Sequence, residues 1–417
     1  MAEVLGAPTL VHVALLSGRS VALVPKAAET LRELRLRAEQ ELQLGLDVLL
    51  GPEGQALPED SSLEALGLGH LVAVARQARL CSGRCSQAFA LIRADGSVAT
   101  WGLAKGGGDS HAVWLRQVRQ ICASAAAFAA LRQDGRVVTW GRPKYGGHSL
   151  HVWGQLHDVR RLAATCGAFA ALRSSGQVVA WGSTRHGAPS RGGGLVAEEV
   201  VDLVGANTAF AALQADGTVV TWPRQRSSGL RLRPPLWACF DSFAALDDRG
   251  EMVVFDSLAR EQARVPDVAK VAASAEGFCF LLKDGSVVSA DGEVHSFPSP
   301  LRELCASGYA FAGIGEDGAV RAWGDPAFGG DCSAVQEQLK DVQVLVATDG
   351  AFAALRCDGV VVAWGDAAKG GDCGGAQLTD ICQLCASSLA FAALRDDGRV
   401  ISWGNLRGGE PPAGLRG

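Results

Sequence analysis

Histidine and tryptophan crowd two neighbouring stretches of this 417-residue chain: His111 and Trp114 in the first, Tyr145, His148, His151, Trp153 and His157 in the second. Two chemistries suit such side chains. Imidazoles three residues apart, as in His148 and His151, can ligate a metal, but no carboxylate or cysteine partner stands at matching spacing. Aromatic rings on loops more often anchor a protein interface, where one large, rigid side chain can hold much of the binding energy. The expectation is therefore a partner-binding patch. Other routes to chemistry close quickly. Cys81 with Cys85 and Cys382 with Cys385 resemble zinc knuckles in spacing, yet nearly the whole repeat region separates the pairs. Glycine pairs such as Gly106-Gly107, Gly329-Gly330 and Gly370-Gly371 recur shortly after the repeated Trp and carry no Gly-Lys-Ser/Thr ending, so they read as loops and not as a phosphate cradle. No serine or cysteine nucleophile signature is present, and the aspartates sit mostly in turns. The chain is expected not to be an enzyme, and no cofactor or metal is expected.

What positions the patch is a repeat. Phe89, Phe128, Phe169, Phe210, Phe243, Phe278, Phe311, Phe352 and Phe391 recur at 33 to 41 residues. Seven residues after each comes a glycine: Gly96, Gly135, Gly176, Gly217, Gly250, Gly285, Gly318, Gly359 and Gly398. Twelve residues after each Phe comes Trp101, Trp140, Trp181, Trp222, Trp323, Trp364 or Trp403, with Phe255 and Ala290 in the fifth and sixth units. A run such as Phe128 to Arg132, Asp134-Gly135 and Val137 to Trp140 reads as a β-hairpin. With Asp-Gly as a two-residue loop, the small residue after each Phe, Ala129 for instance and Cys279 in the sixth unit, is expected opposite the Trp position. A third strand precedes each hairpin, as at 118–124 and 381–387. Strands apolar on both faces and repeated about every 40 residues indicate a radial array, or a solenoid if it does not close.

Composition fits this. Hydrophobic residues make up 48% and charged residues 20%, with 52 glycines, which argues against disorder. The net charge of −5 offers no general attraction to phosphate backbones or anionic membranes, so neither nucleic acid nor membrane is expected as a partner. No signal peptide or spanning helix is read, which places the chain inside the cell, in cytoplasm or nucleus. The 12 cysteines are expected as reduced thiols, Cys122, Cys305 and Cys385 sharing one repeat position. Arg93, Arg132, Arg173, Arg356 and Arg395 share another, either a basic rim or solvated strand ends.

The run Ala-Phe-Ala-Ala-Leu-Arg-x-Asp-Gly-x-Val-Val-x-Trp-Gly resembles the regulator-of-chromosome-condensation repeat, in the short three-stranded form of a bacterial β-lactamase inhibitory protein. The resemblance covers residues 79–417 and implies a β-propeller; seven blades are usual in that family, whereas nine hairpins occur here. Residues 8–76, after a tail at 1–7, have a different grammar: a hairpin from Val11 to Val24, an amphipathic helix over 28–44 with Leu31, Leu34, Ala38 and Leu42 on its apolar face, a segment at Val48 to Leu50, a helical turn near Leu63 to Leu66 and a strand from Leu71 to Ala75. This order resembles a ubiquitin-like β-grasp domain, which implies an exposed docking patch of Leu16, Val48 and Val74. Its last strand runs on through Arg76 to Leu80 without a free Gly-Gly tail, so conjugation is not implied.

The fold expected is mainly β: a propeller or open array of about seven to nine three-stranded blades behind a β-grasp domain. The function expected is a non-catalytic adaptor or scaffold that binds other proteins, ubiquitin-pathway components among them. The alternatives are a regulatory or substrate-binding component of a ubiquitin ligase, or a guanine-nucleotide exchange factor. A tryptophan-based light sensor is the least favoured reading, because packing already explains the Trp ring.

Overall fold

The computed structural model describes residues 10–15, 20–26, 28–42, 46–52, 55–59, 61–66, 69–75, 77–189, 193–223, 226–227, 229, 231–275, 277–289, 292–407 and 409–415. The chain forms two compact units, one of residues 1–79, 92–98 and 115–118, the other of 80–91, 99–114 and 119–417.

The N-terminal segment runs β1 (Val11–Leu15), β2 (Ser20–Leu23), α1 (Leu31–Leu42), β3 (Leu46–Leu50), α2 (Leu63–Leu66) and β4 (His70–Ala75). The strands form one sheet in the order β2-β1-β4-β3, with β1 parallel to β4 and the other pairings antiparallel. α1 starts later than expected because Thr30 caps it. The Thr30 backbone N–H donates to Glu33 Oε2 at 2.9 Å and the Glu33 N–H donates to Thr30 Oγ1 at 3.3 Å, a reciprocal capping box. Leu31, Leu34, Ala38 and Leu42 are buried together with Val11, Val13, Leu71 and Ala73. Arg35 and Glu39 are buried beside them and hold the start of β3: Arg35 Nη1 donates to the Leu46 carbonyl at 2.8 Å and the Leu46 N–H donates to Glu39 Oε1 at 2.8 Å.

Among the described residues nine further sheets follow, one for each repeat phenylalanine, and are numbered here as blades 1 to 9. Blade 2 shows the pattern: strands Val118–Ala123, Ala127–Arg132 and Val137–Gly141 in antiparallel order. Blades 3 to 6 add a fourth, outer strand that the repeat did not announce: Gly193–Ala197, Arg226–Ser227, Glu261–Val265 and Val294–His295.

The hairpin register differs from expectation by one residue. Trp140 pairs with Phe128, and Ala129 faces Thr139. The reason is the turn. The Gly135 N–H donates to the Arg132 carbonyl at 3.1 Å and the Arg132 N–H donates to the Arg136 carbonyl at 2.9 Å, which makes a three-residue loop with only its glycine left-handed, at φ 76°. All nine repeat glycines adopt this conformation, with φ between 74° and 86°. The shift lays the Phe ring directly on the Trp. Phe128 and Trp140 stack with centroids 5.2 Å apart, and Phe352 and Trp364 do the same. In blade 5 Phe255 stacks on Phe243, and in blade 6 Phe278 stacks on Phe280; Ala290 lies outside the described residues.

The glycine pairs pack between blades. The Trp140 indole N–H donates to the Gly107 carbonyl of the preceding blade at 2.9 Å; Trp181 does so to Gly146, Trp364 to Gly329 and Trp403 to Gly370. A Cβ on Gly107 would stand 2.5 Å from the Phe128 ring. Backbone bonds also pass from blade to blade: Ala125 to Cys166, Cys166 to Asn207, Asn207 to Phe240, Ala275 to Gly308, Gly308 to Asp349 and Asp349 to Ser388. The last step joins the ninth blade to the first, where the Ser388 N–H donates to the Ser86 carbonyl at 3.0 Å. Trp101 Nε1 to Ser402 Oγ at 3.1 Å and the Leu80 N–H to Gln383 Oε1 at 2.7 Å close the same seam. The array is a closed nine-bladed β-propeller, not an open solenoid. Cys85 and Cys166 are joined as a disulfide, with Cα atoms 5.5 Å apart, which corrects the expectation of reduced thiols throughout.

Candidate protein-binding surface

The connection that leaves blade 2 consists of two 3-10 turns, Pro143–Tyr145 and Leu150–Gln155. Val152 and Leu156 are buried in the core that also holds Phe169 and Trp181. Anchoring those two side chains inward turns their neighbours outward: Leu150 is 71% exposed and Trp153 is 57% exposed. The Arg136 guanidinium lies 5.8 Å from the Trp153 ring centroid, a cation–π contact at the edge of the patch. Ser149 supports the turn by bonding Thr139 side chain to side chain at 3.1 Å, and the Val152 N–H donates to its carbonyl at 3.0 Å.

Blade 1 repeats the device. Trp114 stands at the same offset from Trp101 as Trp153 from Trp140, and it is 74% exposed. The Thr100 and Ser110 hydroxyls bond at 3.0 Å and the Val113 N–H donates to the Ser110 carbonyl at 2.9 Å, matching the blade 2 turn. His111, His148 and His151 are exposed on these connections. The structure therefore displays Trp114, Trp153 and all four histidines, His157 included, at the surface of successive blades. Tyr145 and His157 also make local structural contacts. Tyr145 is half-buried against the blade 2 core, and its carbonyl accepts from Ser124 Oγ at 2.9 Å. His157 Nδ1 bonds the Asp158 carboxylate at 2.7 Å, and the Arg173 guanidinium reaches the same ring. Leu150 was missed by sequence reasoning; its signal is that the later unit has Ser333 in that place.

Charge accompanies the aromatics. Arg142, Lys144, His148, His151 and His157 fall in a stretch, 142–157, that contains no acidic residue. The five arginines that share one repeat position do not add to it as a free basic rim: Arg132 pairs with Asp134 at 3.3 Å, Arg356 with Asp358 at 2.7 Å, Arg395 with Asp380 at 2.9 Å, and Arg93 and Arg173 bond Ser97 and Gln177. They are tied-down strand ends. A second set that the sequence reading passed over, Arg119, Arg160 and Arg302, bridges blades by donating to the Val159, Val200 and Val342 carbonyls.

In the N-terminal sheet Val48 and Val74 pair directly across β3 and β4, both half-buried; Leu16 lies outside the described residues. Leu50 and Val72 pair beside them and are half-buried too, while Leu71 and Ala73 alternate inward. The helix-free face of the sheet therefore carries an apolar group of four.

Among the described residues no group of three or more His, Cys, Asp or Glu side chains is placed to hold a metal, and no helix is long and apolar enough to cross a membrane. No family model and no curated protein matches the chain. Solved structures with related shape include the yeast chromosome-condensation regulator Prp20 bound to Kap60 (16% identity, covering 56% of this chain and 79% of that one, TM-score 0.38). They also include the ectodomain of the Physcomitrella patens receptor kinase CR4 (15%, 69% and 74%, 0.41) and human WBSCR16 (12%, 75% and 97%, 0.39).

Proposed function

We propose that this chain is a non-catalytic adaptor whose propeller captures a protein partner through the Trp114 and Trp153 connections of blades 1 and 2. The observation that carries this is the exposure of two large indoles at one repeat position, on turns whose folding depends on other residues. Arg136 against the Trp153 ring, with Arg142 and Lys144 on the same connection, favours a partner segment with acidic residues flanking an apolar anchor. The N-terminal segment is read as a ubiquitin-like domain, supported by its helix packed on a mixed sheet of order β2-β1-β4-β3. Its Val48, Leu50, Val72 and Val74 face would dock a second protein, with ubiquitin-handling components the first to try. The turn aspartates support a structural role for the carboxylates: Thr218 bonds hold Asp216 below the usual carboxylate range, and Ser286 bonds do the same for Asp284.

The test is quantitative. Proteins captured by the full chain are purified and titrated against it and against the Trp114→Gln/Trp153→Gln variant. At least one is expected to lose about 2 kcal/mol or more, roughly thirtyfold in Kd, while the unfolding midpoint stays put. Unchanged affinity for every partner would move the search to the valine face, where Val48→Asp is the corresponding substitution.

A further inference from the structure

The blade-to-blade backbone bonds surround a cavity of 830 Å³. That volume suits a small molecule, since ligand sites commonly enclose about 300–1,000 Å³. Its wall combines open aromatic faces with charge. Phe240 is 47% exposed and Tyr309 43% exposed, both lining the cavity together with Leu389. Arg84 enters from blade 1 and donates from Nη2 to the Ser307 carbonyl of blade 7 at 2.9 Å. Among the described residues this is its one hydrogen bond, so most of the five guanidinium N–H donors remain available. Arg407 lines the same space, and Asp349 is the carboxylate that faces them. Burial raises the Asp349 pKa and lowers that of Arg84, each partly offset by the other's charge. Two guanidinium groups against one carboxylate leave the cavity positive. The backbone beneath Arg84 is fixed by the adjoining Cys85–Cys166 disulfide.

We propose that this cavity binds a small aromatic carboxylate, its oxygens on the Arg84 guanidinium and its ring against Phe240 and Tyr309. The fork of N–H donors matches a carboxylate in plane and spacing, and offset rings stack on aromatic walls. The site is separate from the Trp114 and Trp153 surface and stands whether or not that surface binds a protein.

The probe is 4-(trifluoromethyl)benzoate, followed by fluorine NMR on the full chain, with the neutral 4-(trifluoromethyl)benzamide as its isostere. Saturable binding of the benzoate is expected, with the benzamide roughly tenfold weaker or worse. Arg84→Gln should remove that preference, Phe240→Ala should weaken both probes, and Trp114→Gln/Trp153→Gln should change neither. The proposal is overturned if the folded wild type binds neither probe saturably, if it binds both alike, or if folded Arg84→Gln keeps the preference. Should Arg84→Gln fail to fold, Arg84→Lys, which keeps the charge and loses the fork, takes its place. An unchanged benzoate affinity in that variant also overturns the proposal.

Discussion

The connection leaving blade 2, residues 142–158, and the one leaving blade 7, residues 325–341, follow the same backbone path with different chemistry. Arg142 and Asp325 enter at φ −71° and −69°; Gly146 and Gly329 turn at 91° and 90°; Ser149 and Cys332 stand at −116° and −111°; Leu156 and Leu339 close at −90° and −87°. Pro143 matches Pro326, Val152 matches Val335 and Leu156 matches Leu339, and these residues, with the glycine pair, hold the path. The side chains between them diverge. Asp325, Asp331 and Glu337 occupy the places of Arg142, His148 and Gly154. All three acids are consumed locally: Asp325 accepts from the Ala327 N–H and Asp331 from the Ser333 N–H, each at 2.8 Å, and Glu337 pairs with Lys340 Nζ at 2.9 Å. Gln336, in the place of Trp153, folds back to donate to the Val320 carbonyl at 3.1 Å, whereas Trp153 projects into solvent. The pair separates what the fold requires from what the surface is free to display.

The comparison breaks first if the two scaffolds are not equivalent. Phe169→Ala and Phe352→Ala each delete a fully buried ring stacked on a tryptophan and should each cost about 3–5 kcal/mol in urea unfolding. A gap between them much above about 1 kcal/mol would show that the blades differ in packing and not only in surface.

Next come the glycines. Gly146→Ala and Gly329→Ala place a Cβ 2.5 Å from Phe169 and 2.7 Å from Phe352, at left-handed backbone, so each should cost about 1–3 kcal/mol by thermal unfolding. Gly154→Ala meets nothing within 4 Å and should stay within about 0.5 kcal/mol. Equal losses at all three positions would contradict the packing role given to the glycine pair.

A smaller test uses the thiols. Cys122 in blade 2 and Cys305 in blade 7 share one position, half-buried as residues but with sulfurs packed among protein atoms, and that desolvation pushes each thiol up to about 12. Below that pH both stay protonated, so iodoacetamide at pH 8 should leave them unmodified while the exposed Cys357 reacts. Mass spectrometry of tryptic peptides reads the result, and labelling of one of the pair alone would mark a real difference between the blades.

Much of this was legible in the chain. Nine phenylalanines gave nine sheets, and Leu31, Leu34, Ala38 and Leu42 formed the buried helix face as read. The register was not, because Asp-Gly suits a two-residue loop as well as the end of a three-residue one, and the choice rests on where the preceding strand stops bonding. The disulfide was hidden because Cys85 and Cys166 lie 81 residues apart and meet only through the ring. At the surface, Trp114 and Trp153 stood out as large residues that the repeat does not need. Tyr145 and His157 stood out equally in sequence but are drawn into local packing and hydrogen bonding, which composition alone does not reveal.

The central claim is that the exposed side chains of the blade 2 connection, Trp153 first among them, bind a protein without contributing to the fold. Writing residues 331–340 in place of 148–157 within the full chain exchanges Trp153 for Gln336 on an unchanged backbone path. Calorimetric titration with the purified partner should show binding reduced by roughly thirtyfold or more while the thermal midpoint moves by only a few degrees. Full affinity in the folded exchange variant would contradict the account.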